Sequence, residues 1–280
     1  MFKDKNKEEN LYHAALILSK KIKLCSSKSN AELRKLLQEY GGFKEIYRSF
    51  YSLLKDNEDL SGIAGIENII KGIENAGDYK TLTINDSEFP SKLKNVEDAT
   101  PVLYTKGNLD LFNEKSTAVV GTRDIYPGKN QADIDEAKAV LEGLLKKNHL
   151  IVSGLAMGSD TIAHNYAIEH GGKTIAVIGT PLNKSYPPDN KGLQKKIAEE
   201  HLLVSEFPIG VRVYYSFPQR DKTIASLSEE IVVIKAGDTS GTIHTIREAA
   251  KQGKKVYVLK NNFCEKHKWL TKYKESIEEA

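Results

Sequence analysis

The segment from Leu150 to Gly179 constrains the fold most. It reads as an apolar run (Leu150, Ile151, Val152), a break at Ser153-Gly154, and a helical stretch whose Ile162, Ala163, Tyr166 and Ala167 share one face. A stop at Gly171-Gly172 and a second apolar run from Thr174 to Ile178 follow. Strand, glycine-bearing turn, helix, glycine stop and strand make a βαβ unit, with parallel strands and a right-handed crossover. At Ser153, Gly154, Gly158 and Ser159 the first turn is open enough for a phosphate to approach the amides of a helix N-terminus. A sharp strand-to-helix connection also needs glycine for its own sake, so spacing leaves both readings open.

The alternation continues on both sides. Strand-like runs at Thr117–Val120, Leu202–Val204, Glu230–Ile234 and Lys255–Leu259 are separated by helical patterns at Asp133–Lys147, Lys191–Glu200, Thr223–Leu227 and Ile243–Gln252. Strands rich in Val and Ile that alternate with helices predict an α/β fold with a Rossmann-like, doubly wound, mainly parallel sheet. Ligands of such sheets bind beyond the carboxyl ends of the strands. Those exits read Gly121-Thr122-Arg123, Ser153-Gly154, Gly179-Thr180-Pro181, Ser205-Glu206, and Lys235 followed by Thr239-Ser240-Gly241-Thr242. Small hydroxyl residues, glycines and a guanidinium are the groups that hold phosphate oxygens, and their recurrence predicts a phosphate-binding rim. The familiar nucleotide loops are absent: no G-x-G-x-x-G follows the first strand, and Gly171-Gly172-Lys173-Thr174 lies between helix and strand, the reverse of P-loop order.

Residues 11–75 lack strand alternation. Leu11, Ala14, Ala15, Leu18 and Ile22 form one helical stripe, and Ala31, Leu33, Leu36, Leu37 and Tyr40 another. The Gly-rich stretch from Leu60 to Ile70 has the pattern of a helix-hairpin-helix turn, or of a small helical packing module. The organisation expected is a helical N-terminal domain at 1–78 (SAM or helix-hairpin-helix-like), a Rossmann-like domain at 79–262, and a helical C-terminal tail at 263–280. In that tail Trp269, Leu270, Tyr273 and Ile277 would line one amphipathic helix.

Composition settles less. The net charge of +3 is nearly balanced, so any nucleic-acid contact needs a local basic site. Cys25 and Cys264 are too far apart to outline a disulfide framework, and Cys264 with His267 is only half of a metal site. The charged N-terminus lacks a signal-peptide core, and no run approaches the ~18 apolar residues of a membrane span. A cytoplasmic protein without metal or membrane attachment is expected. The stretch Tyr214-Tyr215-Ser216-Phe217-Pro218-Gln219-Arg220-Asp221-Lys222 interleaves rings with charges, as a core staple does, or as a site where rings stack on unpaired bases and cations meet phosphates.

Together these motifs resemble the DNA-processing protein A family (DprA, also called Smf), from about Phe89 to Leu259. The matching residues are Phe89-Pro90-Ser91-Lys92-Leu93, Pro101 to Asn108, Val119 to Arg123, Val152 to Asp160 with Ala163-His164, Tyr186-Pro187 with Asn190, Ser205 to Pro208, Phe217 to Arg220, and Ser240-Gly241-Thr242, in that order. The resemblance implies a protein without catalytic activity or cofactor that binds single-stranded DNA, helps load the RecA recombinase during natural transformation, and dimerises through its Rossmann-like domain. It also implies DNA-phosphate contacts at Gly121, Thr122, Arg123, Ser153, Gly154, Arg220, Lys222, Ser240, Gly241 and Thr242, with Tyr214, Tyr215 or Phe217 placed for base stacking.

The chain departs from the family pattern in three places. Arg220-Asp221-Lys222 stands where the family carries Arg-Asn-Arg, which sets a carboxylate in the expected phosphate site and replaces a bidentate fork with a point charge. Ser240-Gly241-Thr242-Ile243-His244 is less uniformly small and apolar than the family's helix start. The stretch after Leu259 is too short for the winged-helix domain many members carry. Two rival readings use the same rim: a sensor of a small nucleotide, and a nucleotide phosphoribohydrolase in which Arg247 and Glu248 would act. Against the latter, Arg247 and Glu248 read as a solvated helix face, and His164 as a structural histidine.

Overall fold

A computed structural model describes residues 2–20, 27–51, 60–212, 217–264 and 266–280. In chain order the elements are α1 (Lys5–Leu18), α2 (Ser27–Tyr40), α3 (Phe43–Tyr51), α4 (Ile66–Glu74), β1 (Lys80–Thr83), α5 (Ser91–Lys94) and β2 (Val102–Gly107). There follow β3 (Ser116–Val120), α6 (Gln131–Lys146), β4 (Leu150–Ser153), α7 (Ser159–Glu169), β5 (Thr174–Ile178), α8 (Lys191–Glu200) and β6 (Leu202–Ser205). The chain ends with α9 (Phe217–Leu227), β7 (Glu230–Val233), α10 (Thr242–Lys251), β8 (Val256–Val258), α11 (Lys268–Lys272) and β9 (Ile277–Glu279). None of the described helices is long and apolar enough to cross a membrane.

The chain forms two compact units. The first comprises residues 1–106 with 179–184 and 204–216. Its core joins Leu11, Tyr12 and Leu16 of α1, Leu37 of α2, Phe43, Ile46 and Tyr47 of α3, and Ile69 and Ile73 of α4. Val102 and Tyr104 of β2 and Ile209 complete it. The β1–β2 hairpin is antiparallel, with Thr81 opposite Tyr104, and Thr81 donates its amide to Asn6 Oδ1 and its hydroxyl to Asn6 O. These bonds and the shared core explain why this unit runs past residue 78. Alternation at Tyr79–Ile84 marks a strand, and only tertiary packing tells which domain a strand joins.

The second unit holds residues 107–178, 185–203 and 217–280. Its ladder runs β5-β4-β3-β7-β8-β9, parallel throughout, with Thr117 of β3 flanked by Ile151 of β4 and Glu230 of β7. The apolar strand runs predict this, because strands covered on both faces lose polar alternation. α6 and α7 pack through Ile134, Ala137, Leu141, Ala163 and Ala167 onto Val119, Ile151 and Val232. Helices α9 and α10 pack on each other and along β3, β4, β5, β7 and β8. This is the Rossmann-like architecture expected, and all six strands read from the sequence of that region are present.

Two elements differ from expectation. α9 begins at Phe217, six positions before the helix read at Thr223, because Pro218 in a first turn costs no hydrogen bond. The tail is not one amphipathic helix: after the single turn of α11 it adds β9 beside β8, where Val256 pairs with Ile277. Trp269 anchors that path, buried with Nε1 donating to Ala236 O at 3.0 Å, while Asp238 accepts from Lys268 N at 2.8 Å. A short strand satisfies the open hydrogen-bonding edge of β8, which a helix there would leave bare.

Candidate nucleic-acid interface

A cleft of roughly 560 Å³ opens beyond the carboxyl ends of β3 and β7. Three segments bound it: the turn after β3 (Gly121, Thr122, Arg123), the start of α9 (Phe217, Arg220, Asp221), and the approach to α10 (Gly237 and Thr239 through Thr242, with His244). Ala156 joins from the β4–α7 connection and Asp160 from the first turn of α7. Of the five strand exits, these belong to neighbours in the ladder, whereas Gly179-Thr180 and Ser205-Glu206 fall in the first compact unit.

The turn after β3 is locked to the start of α7. Ser159 donates its amide and its hydroxyl to Thr122 O, at 3.1 and 2.9 Å, and the Thr122 amide donates to Lys235 O at 2.7 Å. Gly121 has no room for a side chain, since an added Cβ would meet both Ser159 Oγ and Ser159 Cβ. Gly158, at φ +74°, lets the backbone pass the carbonyls of Thr122 and Arg123. The result aims Arg123 outward: its guanidinium lies 5.1 Å from the Phe217 ring centroid, and Tyr186 tilts against the same ring at 5.6 Å. A cation over an aromatic face, with a second exposed ring beside it, suits a base and its phosphate together.

Across the cleft, Gly241 caps α10 with no side-chain bond of its own, and the space around its Cα is open. Ser240 Oγ donates to Thr242 Oγ1 at 3.0 Å and accepts from the Thr242 amide. The positive end of the helix dipole therefore faces the cleft alongside two hydroxyls, an arrangement that favours an anion.

Not every residue expected at a phosphate is available there. Ser153 is buried and donates to Val119 O at 2.6 Å, and the Gly154 carbonyl is occupied by Arg220 Nη1. Arg220 lies in the cleft floor at 4% exposure, with a second bond from Nη1 to Val177 O at 3.2 Å. Lys222 lies outside the cleft lining, buried with Nζ 4.0 Å from Glu248 Oε2. Both cations were expected to face DNA; the early start of α9 turns this segment inward instead, where their charge ties elements together. Tyr214 and Tyr215 lie outside the described residues, so Phe217 is the stacking candidate the structure places. Glu248 corrects the solvated-face reading, for it is buried and also meets Arg247 Nε at 3.2 Å and Lys251 Nζ at 3.1 Å.

Three groups shape the electrostatics: Asp160, to which the sequence reading gives no role, Asp221, the carboxylate it sets in the expected phosphate site, and His244 of the α10 start. Asp160 is buried and accepts from the Ala156 amide at 3.1 Å; burial raises its pKa, against the pull of Arg220. Asp221 contacts Arg220 Nε at 3.1 Å, and burial pushes its carboxyl up to about 6 in spite of that guanidinium, with Asp160 adding to the rise. His244 lines the cleft with its pKa lowered by burial and then by Arg247. Asp160 follows Ser159 at the start of a helix, a position where an acid often caps amides, which was the available signal. His164 is fully buried, its Nδ1 paired with Thr174 Oγ1 at 2.7 Å and its pKa depressed to about 3 by burial, as suits a structural histidine. Among the described residues no cluster of potential ligands could hold a metal ion.

The fold is Rossmann-like, and its cleft gathers a guanidinium, an aromatic ring, small hydroxyls and an open helix start on one face. The chain belongs to the DNA recombination-mediator protein A family, whose model matches residues 80–273. It is 38% identical over 182 residues to the DNA processing protein DprA of Streptococcus pneumoniae, a match that covers 65% of this chain but only 63% of that protein. The structure of DNA processing protein A from the same organism superposes with a TM-score of 0.72 at 26% identity, covering 100% of this chain and 95% of that one. The Helicobacter pylori protein, described for its single-stranded DNA binding mode, gives a TM-score of 0.62 at 28% identity over 72% of this chain and 90% of its own.

Proposed function

We propose that this chain is a single-stranded DNA-binding mediator of recombination, and that the cleft between Arg123 and the start of α10 captures the DNA backbone. The observation that carries the reading is Arg123, exposed over the Phe217 ring and lining one cleft with the open Gly241 helix start, in a member of this family. Arg123 supplies charge to a phosphate, Gly121 and Thr122 shape the turn that aims it, Ser240, Gly241 and Thr242 supply amides and hydroxyls, and Phe217 supplies a stacking face. Arg220 and Lys222 act one step back, holding the floor and α9 in place. Binding of this kind needs no catalytic group, and the buried His164 offers none. The reading extends to a cytoplasmic homodimer that protects strands during natural transformation and passes them to RecA.

Fluorescence anisotropy of a labelled single strand, titrated with wild type and Arg123→Ala at two salt concentrations, tests the reading. Wild-type affinity should fall steeply with salt, and the variant should bind more weakly with a salt slope reduced by about one. Salt-insensitive binding that ignores Arg123 would refute it. Thermal stabilisation by a mononucleotide but not by oligonucleotides would move the nucleotide-sensor reading to the front.

A further inference from the structure

The cleft holds a charge arrangement that phosphate capture does not call for. Asp160, Arg220 and Asp221 line it together as an acid–base–acid string, with Arg220 Nε 3.1 Å from Asp221 Oδ1 and Nη1 4.0 Å from Asp160 Oδ2. All three are buried, and Nη1 is further committed to the carbonyls of Gly154 and Val177. With both carboxylates ionised the string carries one excess negative charge, beside the helix start where an anion would sit. Arg123, from the turn after β3, also acts on Asp221, and His244 of α10 lines the same cleft; Asp124, also in the lining, is held by Lys129 Nζ at 2.6 and 2.8 Å. Asp160 is tied to the Ala156 amide, which leaves Asp221 as the carboxylate whose charge can be given up without opening the β4–α7 turn.

We propose that Asp221 couples anion binding in this cleft to proton uptake, so that the cleft takes in a phosphate group together with one proton from solvent. The inference rests on the reading of the cleft as the phosphate-binding site. An arriving phosphate adds negative charge over a buried carboxylate, and protonating that carboxylate removes the repulsion and leaves an O–H donor in its place; no other bond is made or broken. Burial already holds Asp221 at about 6, close enough to neutrality for one added charge to decide its state. An asparagine here would be a permanent copy of the protonated form.

The test compares wild type, Asp221→Asn and His244→Gln at constant ionic strength between pH 5.5 and 8, with a fluorescein-labelled thymidine oligonucleotide and, separately, with inorganic pyrophosphate. Wild-type affinity should fall by up to roughly tenfold per pH unit above about 6, and calorimetry in two buffers of different ionisation enthalpy should read about one proton taken up per ligand bound. Asp221→Asn should bind at every pH with the acid-side affinity of wild type, and His244→Gln should keep the wild-type slope. A slope that survives in Asp221→Asn, or vanishes in His244→Gln, overturns the proposal. The proton count on wild type needs no variant, so misfolding of Asp221→Asn would not rescue the idea. If pyrophosphate binds with a proton uptake that Asp221→Asn abolishes, while the oligonucleotide binds at no pH, the DNA reading fails and the coupling stands. If neither probe binds, or both bind without uptake, the coupling is wrong.

Discussion

Gly121→Ala probes the junction that aims Arg123. The new Cβ would lie 2.9 Å from Ser159 Cβ and 3.1 Å from Lys235 O, with Ser159 Oγ nearer still. Ordinary contact begins near 3.4 Å, so the serine must swing away or the turn must move. Swinging breaks its 2.9 Å bond to Thr122 O, worth about 1 kcal/mol. The remaining backbone crowding adds an overpacking cost of about 1–3 kcal/mol. The expected loss is therefore about 2–4 kcal/mol, read as a lower urea midpoint with an unchanged slope. Ser159→Ala alone should cost about 1 kcal/mol, the hydrogen bond only. In the double variant the Oγ contact is gone and the two losses should sum to more than is measured, a coupling of about 1 kcal/mol in a double-mutant cycle. Strictly additive losses, or a Gly121→Ala loss below ~0.5 kcal/mol, within the range of ordinary surface substitutions, would show that the turn is not locked to α7.

Three further perturbations follow from the same structure. Asp221→Asn should stabilise the protein at neutral pH: the folded pKa is raised to about 6, so ionisation opposes folding, and the gap should open from about pH 4 and level off above 6 at ~2–3 kcal/mol. A pH-independent difference in guanidinium midpoints would contradict it. Glu248→Gln should cost about 1–3 kcal/mol, since it removes the buried carboxylate that meets Lys222, Arg247 and Lys251, and a melting temperature unchanged from wild type would disprove that role. Trp269→Ala should cost about 3–5 kcal/mol and speed hydrogen exchange in residues 277–279 before the rest of the ladder; uniform exchange would mean that β9 is held by other contacts.

The strands around the cleft were legible because each is a short Val- and Ile-rich run between glycine or polar stops, and such runs form buried parallel strands with little dependence on context. Exits such as Gly121-Thr122-Arg123 were legible for the same reason. The roles of Arg220 and Lys222 were not. Their partners, the carbonyls of Gly154 and Val177 and the carboxylate of Glu248, are distant in sequence, and no periodicity encodes such pairings. Motif order locates a charged residue near a site without telling which way its helix face turns. The Phe217–Arg123 stack was hidden likewise, each member sitting in a separate motif. β9 escaped because Ile277-Glu278-Glu279 has no strand pattern of its own and is ordered by the edge it meets.

The Arg220 guanidinium reaches the carbonyls leaving β4 and β5 from a helix that begins much later in the chain. The cleft floor is therefore a cooperative object: it exists only while α9 is docked on the ladder. Exchange protection of the amides in α9 then serves as an occupancy gauge, because any ligand that needs the floor must slow their opening by the factor it gains in binding.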